Sequence, residues 1–122
     1  MATAKLWVPD RQDIIWIDFS PQVGQEMKDL HPMLVLSPKA FNARTSLVIG
    51  LPMTTAASND TNPFAIKFAG PKSVTSYVLA HQPKSLDWRK RGAKPHAWKQ
   101  VPDGVLLDTC AALEQIIATG AS

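Results

Sequence analysis

Apolar and polar residues alternate near the start of the chain. In an extended segment from Asp13 to Phe19, one side carries Ile15, Ile17 and Phe19. The other side carries Ile14, Trp16 and Asp18. This period-2 pattern is typical of a half-buried strand. We therefore expect a first strand here, with Trp16 on the face opposite Ile15.

A polar loop separates this strand from the next. It holds Glu26, Lys28 and His31, and an apolar run at 33–36 follows it within a predicted strand over 33–37. Pro32 favours an extended backbone at His31, which predicts a second strand entering the core. Charged and titratable side chains between two strands are placed where a rigid sheet can orient them, so the loop is a candidate site.

Several further short strands are predicted before residue 81. The patterns indicate strands at 46–53, 63–68 and 73–80, a helical turn over 38–41 capped by Ser37, and a polar loop over 56–62. Strands that follow one another in this way predict a mostly antiparallel, strongly curved sheet or small barrel.

The last element is predicted to be a helix over about residues 103–119. Asp103 suits its N-cap, Gly120 can end it, and an apolar stripe recurs at helical spacing through Leu106, Cys110, Leu113 and Ile117. Cys110 is expected to face the core. The fold class is therefore mainly β with a C-terminal helix, and residues 1–122 are expected to form a single domain.

Charge is concentrated in one segment. The chain has a net charge of +3, and six of its 13 cationic residues lie between Lys84 and Lys99, beside the single carboxylate of Asp87. The prolines and Gly92 in this basic segment favour a loop or hairpin over a helix. A local excess of positive charge predicts a polyanionic partner.

Other compositional features exclude several classes. The single cysteine excludes an internal disulfide, and no run approaches the roughly 20 apolar residues of a membrane span. We expect a cytoplasmic protein that has no membrane contact. The three histidines and Cys110 have no zinc spacing, and no Gly-rich phosphate loop occurs, so no metal or other cofactor is predicted.

Six runs of residues resemble the MazF/PemK family of type II toxin-antitoxin endoribonucleases, in order and spacing. They lie within roughly residues 7–93 and read VPDRQDIIWIDFSPQVGQE, HPMLVLSP, FNARTS, LPMTT, NPF and LAHQPKSLDWRKRGA. The resemblance implies a MazF/PemK/CcdB-like, SH3-like barrel and a homodimer. It also implies sequence-specific, metal-independent cleavage of single-stranded RNA, and a MazE-like antitoxin whose disordered tail blocks the site.

The resemblance assigns a catalytic pair. The family has an Arg directly before the proline that opens the second strand and a Thr at the end of the third, which fall on His31 and Thr54. An Arg is a permanent bidentate cation, whereas a His transfers protons well but is only partly charged at neutral pH. We expect His31 to act as acid or cation, so that cleavage falls as pH rises, and Thr54 to bind the scissile phosphate. Glu26 would orient His31 or act as base.

The remaining candidates would bind RNA, with mRNA as the expected substrate and rRNA and tRNA as further candidates. Trp16 could stack an unpaired base or simply belong to the core. The others could contact phosphates and bases or be ordinary surface and strand-end residues. They are Lys28, Thr55, Gln82, Lys84, Ser85 and Arg89.

Two alternatives remain open. A protein of this fold could bind RNA or poison DNA gyrase without cutting RNA. The acidic residues between Asp13 and Asp29 could instead be imagined as magnesium ligands of a metal nuclease, although their spacing forms no recognised motif. Thr54, the basic segment and a stacking face are features that an RNA site needs and a gyrase poison does not.

Overall fold

The computed structural model of the protein describes residues 6–20 and 30–117. Over these ranges it contains two α-helices, seven strands and two short 3-10 helices at 57–61 and 71–73. The strands and helices are β1 Asp13–Asp18, β2 Leu30–Val35, α1 Lys39–Thr45, β3 Leu47–Thr54, β4 Ala65–Ala69, β5 Thr75–Leu79, β6 Lys84–Asp87, β7 Lys94–Gln100 and α2 Asp103–Ile116.

The strands form one antiparallel sheet that curls into a half-barrel of the SH3-like type. Its order is β4-β5-β3-β2-β1-β7, and β6 pairs with β3 outside this path. Strand β3 organises the sheet because it pairs with β2 along one edge and with β6 and then β5 along the other. At Gly50, which pairs with both Val35 and Lys84, a Cβ would collide with the carbonyl oxygen of Leu34. Glycine permits this close approach.

The sheet has a hydrophobic cluster on each face. Ile15 and Ile17 pack on one face with Met33 and Trp88, whereas Ile14 packs on the other. The alternation predicted for β1 is therefore confirmed. Val101 and Val105 belong to the same cluster as Ile14. The chain that leads from β7 into α2 therefore covers the face of the sheet that carries Ile14.

Helix α2 forms, but its start and its buried face differ from the prediction. Pro102 is the N-cap, and Asp103 lies in the first turn, where its carboxylate accepts a hydrogen bond from Gln12 Nε2 at 2.8 Å. The fully or nearly buried residues are Val105 and Thr109, whereas Cys110 is exposed. The expectation of a core cysteine was thus wrong.

The helix is described to Ile116, and Gly120 lies outside the described residues. Among those residues, neither helix combines the length and the apolar character that crossing a membrane requires.

Two other local predictions were wrong. Ser37 does not cap α1, because Pro38 is its N-cap and the Ser37 hydroxyl bonds Asn42 Oδ1 instead, at 2.5 Å. The helix also continues to Thr45. In the basic segment the exclusion of a helix is confirmed, but β6 and β7 pair with β3 and β1 and form no hairpin with each other.

Candidate active site

Two adjoining grooves lie on the sheet where β2 begins and β3 ends. The first, here called the Trp16 groove, has a volume of about 460 Å³, and the second, the Lys84 groove, about 340 Å³. His31, Met53 and Thr54 line both. The Trp16 groove is completed by Ile14, Trp16, Pro32, Thr55, Pro71, Val74, Ser76 and His96, and the Lys84 groove by Phe19, Pro52, Leu79, Gln82 and Lys84.

The pairing of β2 with β3 explains why His31 and Thr54 come together. The two strands are antiparallel, with Met33 opposite Pro52. His31 and Thr54 each lie two residues beyond this pair, His31 toward the start of β2 and Thr54 at the end of β3. His31 is exposed and Thr54 is half-buried, so a ligand in either groove would meet both side chains.

A backbone hydrogen bond holds the hydroxyl oxygen of Thr54. The backbone N–H of Ala56 donates to Thr54 Oγ1 at 3.1 Å. The oxygen therefore acts as an acceptor within the protein, and among the described residues no acceptor binds its hydrogen. The hydroxyl can donate that hydrogen to a bound ligand.

His31 lies against Phe19, which continues β1 by one residue. The two rings meet edge to face, with centroids 5.9 Å apart and an interplanar angle of 80°. Arg91 Nη1 donates to the carbonyl oxygens on either side of Phe19, at 2.9 Å to Asp18 and 2.8 Å to Ser20. Arg91 thereby holds the backbone that carries the ring beneath His31.

Trp16 lies in the groove as a partly exposed aromatic side chain. It retains 37% of its accessible surface although it sits in the middle of β1. The His96 ring stacks on it, with centroids 5.0 Å apart and planes inclined by 23°. Such an aromatic surface at the edge of a groove suits an unpaired base.

The structure brings some of the other candidate residues to the grooves and not others. Thr55 lines the Trp16 groove, and Gln82 and Lys84 line the Lys84 groove. Ser85 and Arg89 line neither. Ser85 pairs with Ile49 in the sheet, and Arg89 lies over the Trp88 ring at 4.4 Å and donates to the carbonyl of Ala43. Glu26 and Lys28 lie outside the described residues.

The turn between β6 and β7 carries much of the positive charge and is held by Asp87. Asp87 Oδ1 accepts hydrogen bonds from Lys90 N and Ser46 Oγ, both at 2.9 Å. These bonds, led by the one from Lys90, lower the pKa of Asp87 although partial burial opposes the shift. The carboxylate therefore fixes the turn that presents Arg89, Lys90 and Arg91.

Sequence reasoning missed one prominent residue of the Trp16 groove, His96. The prolines at 95 and 102 favoured a loop, so no face could be assigned to His96. The structure has an edge strand there, and an edge strand tolerates proline because one row of its N–H groups needs no partner. Burial lowers the pKa of His96, which favours its neutral form.

Within the described ranges, no three His, Cys, Asp or Glu side chains come together in a way that could hold a metal ion. The chemistry of the groove residues is that of hydroxyl, imidazole, ammonium and aromatic groups. These groups can bind phosphate, transfer a proton and stack bases.

The model of one protein family matches residues 10–117. That family is described as the PemK-like, MazF-like toxins of type II toxin-antitoxin systems. The chain belongs to this family. Membership confirms the resemblance found in the sequence, and the curled sheet with its C-terminal helix confirms the predicted fold class.

Individual relatives agree with this MazF-like assignment. The chain is 39% identical over 87 residues to the endoribonuclease toxin MazF of Escherichia coli (strain K12), covering 71% of this chain and 76% of that protein. It also resembles the crystal structure of MazF from Deinococcus radiodurans, with 34% identity and a TM-score of 0.78, covering 93% of this chain and 99% of that one. A MazE-MazF crystal structure from the same organism gives 33% identity and a TM-score of 0.78, covering 93% and 100%.

Proposed function

We propose that this MazF-like toxin is a metal-independent endoribonuclease that cleaves single-stranded RNA at short sequences. The observation that carries the proposal is that His31 and Thr54 line both grooves at the ends of paired strands. The MazF relatives of the chain are endoribonucleases, which supports it. Cellular mRNA is the proposed substrate class, reached in the cytoplasm.

In the proposed reaction the RNA supplies its own nucleophile. A base removes the proton of a ribose 2'-hydroxyl, the oxygen attacks the adjacent phosphorus, and the bond to the 5'-oxygen breaks. The products are a 2',3'-cyclic phosphate and a 5'-hydroxyl, whose proton comes from the general acid. The protein must therefore move two protons and stabilise the extra negative charge of the phosphorane.

The residues at the groove junction suit these roles. Thr54 would donate its hydroxyl hydrogen to a phosphate oxygen. Its own Oγ1 already accepts a hydrogen bond from the backbone N–H of Ala56. Protonated His31 would supply the acid and positive charge that an Arg supplies elsewhere in the family. Glu26 remains a candidate base and Lys28 a candidate cation.

RNA would occupy both grooves. A base would stack on Trp16, and Lys84 and Gln82 would contact the strand on the other side of the scissile phosphate. Thr55 would contribute to the Trp16 groove. Ser85 and Arg89 lie outside both grooves, so Arg89 would act through long-range attraction and Ser85 is not proposed as a contact.

We further propose that the toxin is a homodimer inhibited by a MazE-like antitoxin. The MazE-MazF structures from D. radiodurans support the antitoxin. Apolar side chains exposed on α2 in the single chain, among them Leu107 and Ile116, support a protein interface there. Analytical ultracentrifugation would test the dimer.

One experiment tests the cleavage. Purified protein is incubated with mixed-sequence RNA in excess chelator, and the new ends are mapped. The same substrate is then made with 2'-deoxyribose at the cut position, and Thr54→Ala is compared with the matched variant Thr61→Ala, which lies outside both grooves.

The proposal expects cleavage in chelator, loss of cleavage with the deoxy substrate, and loss with Thr54→Ala alone. Cleavage of the deoxy substrate would reject attack by the 2'-hydroxyl. RNA binding without any cleavage would favour the non-catalytic alternative.

A further inference from the structure

We propose that His96 determines base specificity: it holds the indole of Trp16 by stacking and donates a hydrogen bond from Nε2 to an acceptor atom on the nucleobase bound beside it. The substrate feature that it recognises is a carbonyl oxygen or an unprotonated ring nitrogen on an unpaired base. The inference deepens the proposed function and rests on RNA binding in the Trp16 groove.

The position of His96 follows from the pairing of β1 with β7. Trp16 pairs with Lys94 and Ile15 with Pro95, so His96 is a diagonal neighbour of Trp16 on the same face of the sheet. The ring centroids lie 5.0 Å apart, with planes inclined by 23°. His96 therefore covers one face of the indole, and the part of Trp16 that stays exposed, 37% of the residue, borders the Trp16 groove.

This stack also limits the freedom of Trp16. An isolated, partly exposed indole can change its side-chain torsions, and a bound base would then have to order it. An indole that is already held by the imidazole needs less ordering when RNA binds, because its exposed part faces the groove in the free protein. His96 acts as a positioning residue in this respect.

The hydrogen bonding of the imidazole defines which nitrogen can donate. The backbone N–H of Trp98 donates to His96 Nδ1 at 3.0 Å, so Nδ1 is the acceptor and the hydrogen of the neutral ring is on Nε2. Nε2 is at the other side of the ring from this backbone bond, and His96 lines the Trp16 groove. The burial that lowers the pKa of His96 keeps this neutral tautomer in place.

A donor in this position discriminates between bases. A base that offers an acceptor to Nε2–H gains a hydrogen bond, whereas an amino group there would face another donor and leave both unpaired. The loss of one neutral hydrogen bond corresponds to a change of about 3- to 10-fold in preference. We expect this effect at a single position of the recognised sequence, next to the stacked base.

Three variants test the inference. His96→Phe keeps an aromatic ring but has no hydrogen-bond donor. His96→Ala removes both the ring and the donor. His81→Phe is the matched control, because His81 is exposed and lines neither groove. Each protein is given a randomised RNA pool, the cut sites are sequenced, and kcat and KM are measured on the preferred substrate, with melting temperatures to verify folding.

We expect His96→Phe to lower the preference at one position by about 3- to 10-fold, and His96→Ala to do so and also to raise KM. His81→Phe should keep the wild-type preference at that position, because the His81 ring contacts Gln82 of the Lys84 groove and no residue of the Trp16 groove. Unchanged base preference in folded His96→Phe would overturn the donor role, and an unchanged KM in His96→Ala would overturn the stacking role.

The wild-type control separates this inference from the proposed function. If wild-type protein does not cut RNA, the same variants are compared for binding of the randomised pool, followed by sequencing of the retained RNA. A His96-dependent base preference in bound RNA would support the inference although the cleavage proposal had failed. Absence of RNA binding by wild-type protein would overturn both.

Discussion

His31 lies near the start of β2 and Thr54 at the end of β3, the strand that β2 pairs with, and both residues line the two grooves that meet there. One is an imidazole and the other a hydroxyl whose oxygen is already an acceptor for Ala56. A phosphate at this junction could receive a hydrogen bond from Thr54 and a proton or positive charge from His31. The arrangement therefore accounts for the proposed reaction with two side chains that rigid strands hold in place.

Replacing His31 by Arg should change the pH dependence of cleavage. Imidazoles as a class lose their proton between pH 5 and 8, whereas a guanidinium remains charged. If protonated His31 supplies acid or charge, wild-type cleavage falls as pH rises from 6 to 8.5. His31→Arg would then have a flatter profile and a higher relative rate at pH 8.5.

Initial rates across this range, with His31→Gln as the neutral control, provide the measurement. His31→Gln should be about 10²-fold slower or more, the usual loss for a general acid. A flat wild-type profile would reject the protonated role for His31.

Arg91 should affect catalysis without touching RNA in the grooves. Its guanidinium holds the carbonyl oxygens of Asp18 and Ser20, and Phe19 between them packs against His31. Arg91→Met removes both bonds and should lower the free energy of unfolding by about 1–3 kcal/mol, since hydrogen bonds to charged donors are stronger than neutral ones. It should also lower kcat more than it raises KM, because the imidazole loses its support.

Lys90→Met provides the control for Arg91, since it removes the same charge from the same turn. Chemical denaturation and steady-state kinetics of both variants give the comparison. Equal losses in Lys90→Met and Arg91→Met would mean that charge, and not the two carbonyl bonds, is responsible.

Local patterns predicted the strands that build the site, because alternation in β1 depends only on which residues face each side of the sheet. The end of β3 was also visible in the sequence, whereas β2 begins at Leu30, three residues before the predicted start at Met33, so His31 lies in the strand and not in the loop before it. That His31 and Thr54 meet, however, depends on the register between β2 and β3, which no local pattern contains. From the sequence, only the family resemblance predicts that these two residues share a site.

The errors have physical reasons as well. In α2, apolar residues occupy several sides of the helix, so periodicity could not choose between the face of Cys110 and the face of Val105 and Thr109. In β7, the prolines indicated a loop, but β7 lies at the edge of the sheet and tolerates Pro95. His96 was missed for this reason.

Lys84 should contribute to the salt dependence of RNA binding. It lines the Lys84 groove, where a phosphate would release a counterion on pairing with its ammonium group. For single strands, the slope of log K against log salt changes by about 0.7 for each such contact, so Lys84→Gln should make the slope less negative by roughly this amount. Fluorescence anisotropy from low to high salt would measure it on a non-cleavable 2'-deoxy-substituted RNA.

Lys39→Gln is the control for the salt measurement, since Lys39 is exposed at the start of α1 and lines neither groove. A change in slope that is the same for both variants would show general attraction in place of a contact in the groove.

Asn42 should be among the most sensitive positions for stability. It is fully buried, its Nδ2 donates to the carbonyls of Pro9 and Ser37 at 2.8 and 3.0 Å, and its Oδ1 bonds the Ser37 hydroxyl. Asn42→Ala would leave these polar groups unpaired in the interior, which predicts a loss of about 2–4 kcal/mol in the free energy of unfolding. Asn59→Ala, at a surface turn, should cost less than about 1 kcal/mol in the same denaturation experiment.

Asp60 should make stability depend on pH at the acid end. Lys67 Nζ lies 2.7 Å from Asp60 Oδ1, and Tyr77 donates its hydroxyl to the same oxygen at 3.1 Å. The hydrogen bond from Lys67 and then that from Tyr77 lower the pKa of Asp60 below its ordinary value of 3.8. Because the folded state binds this proton less readily than the unfolded state, the stabilisation is present above about pH 4 and is lost as pH falls through the folded-state pKa.

The effect of Asp60 should be small, since both partners of the ion pair are exposed to solvent. Melting temperatures of wild type and Asp60→Asn from pH 7 to pH 2.5 measure it. The wild type should melt higher at pH 7, and the difference should shrink below about pH 4 as the carboxylate takes up its proton. Asp108→Asn, which changes an exposed carboxylate on α2, should track the wild type throughout. A difference between wild type and Asp60→Asn that stays constant down to pH 2.5 would show that the charge of Asp60 contributes nothing to stability.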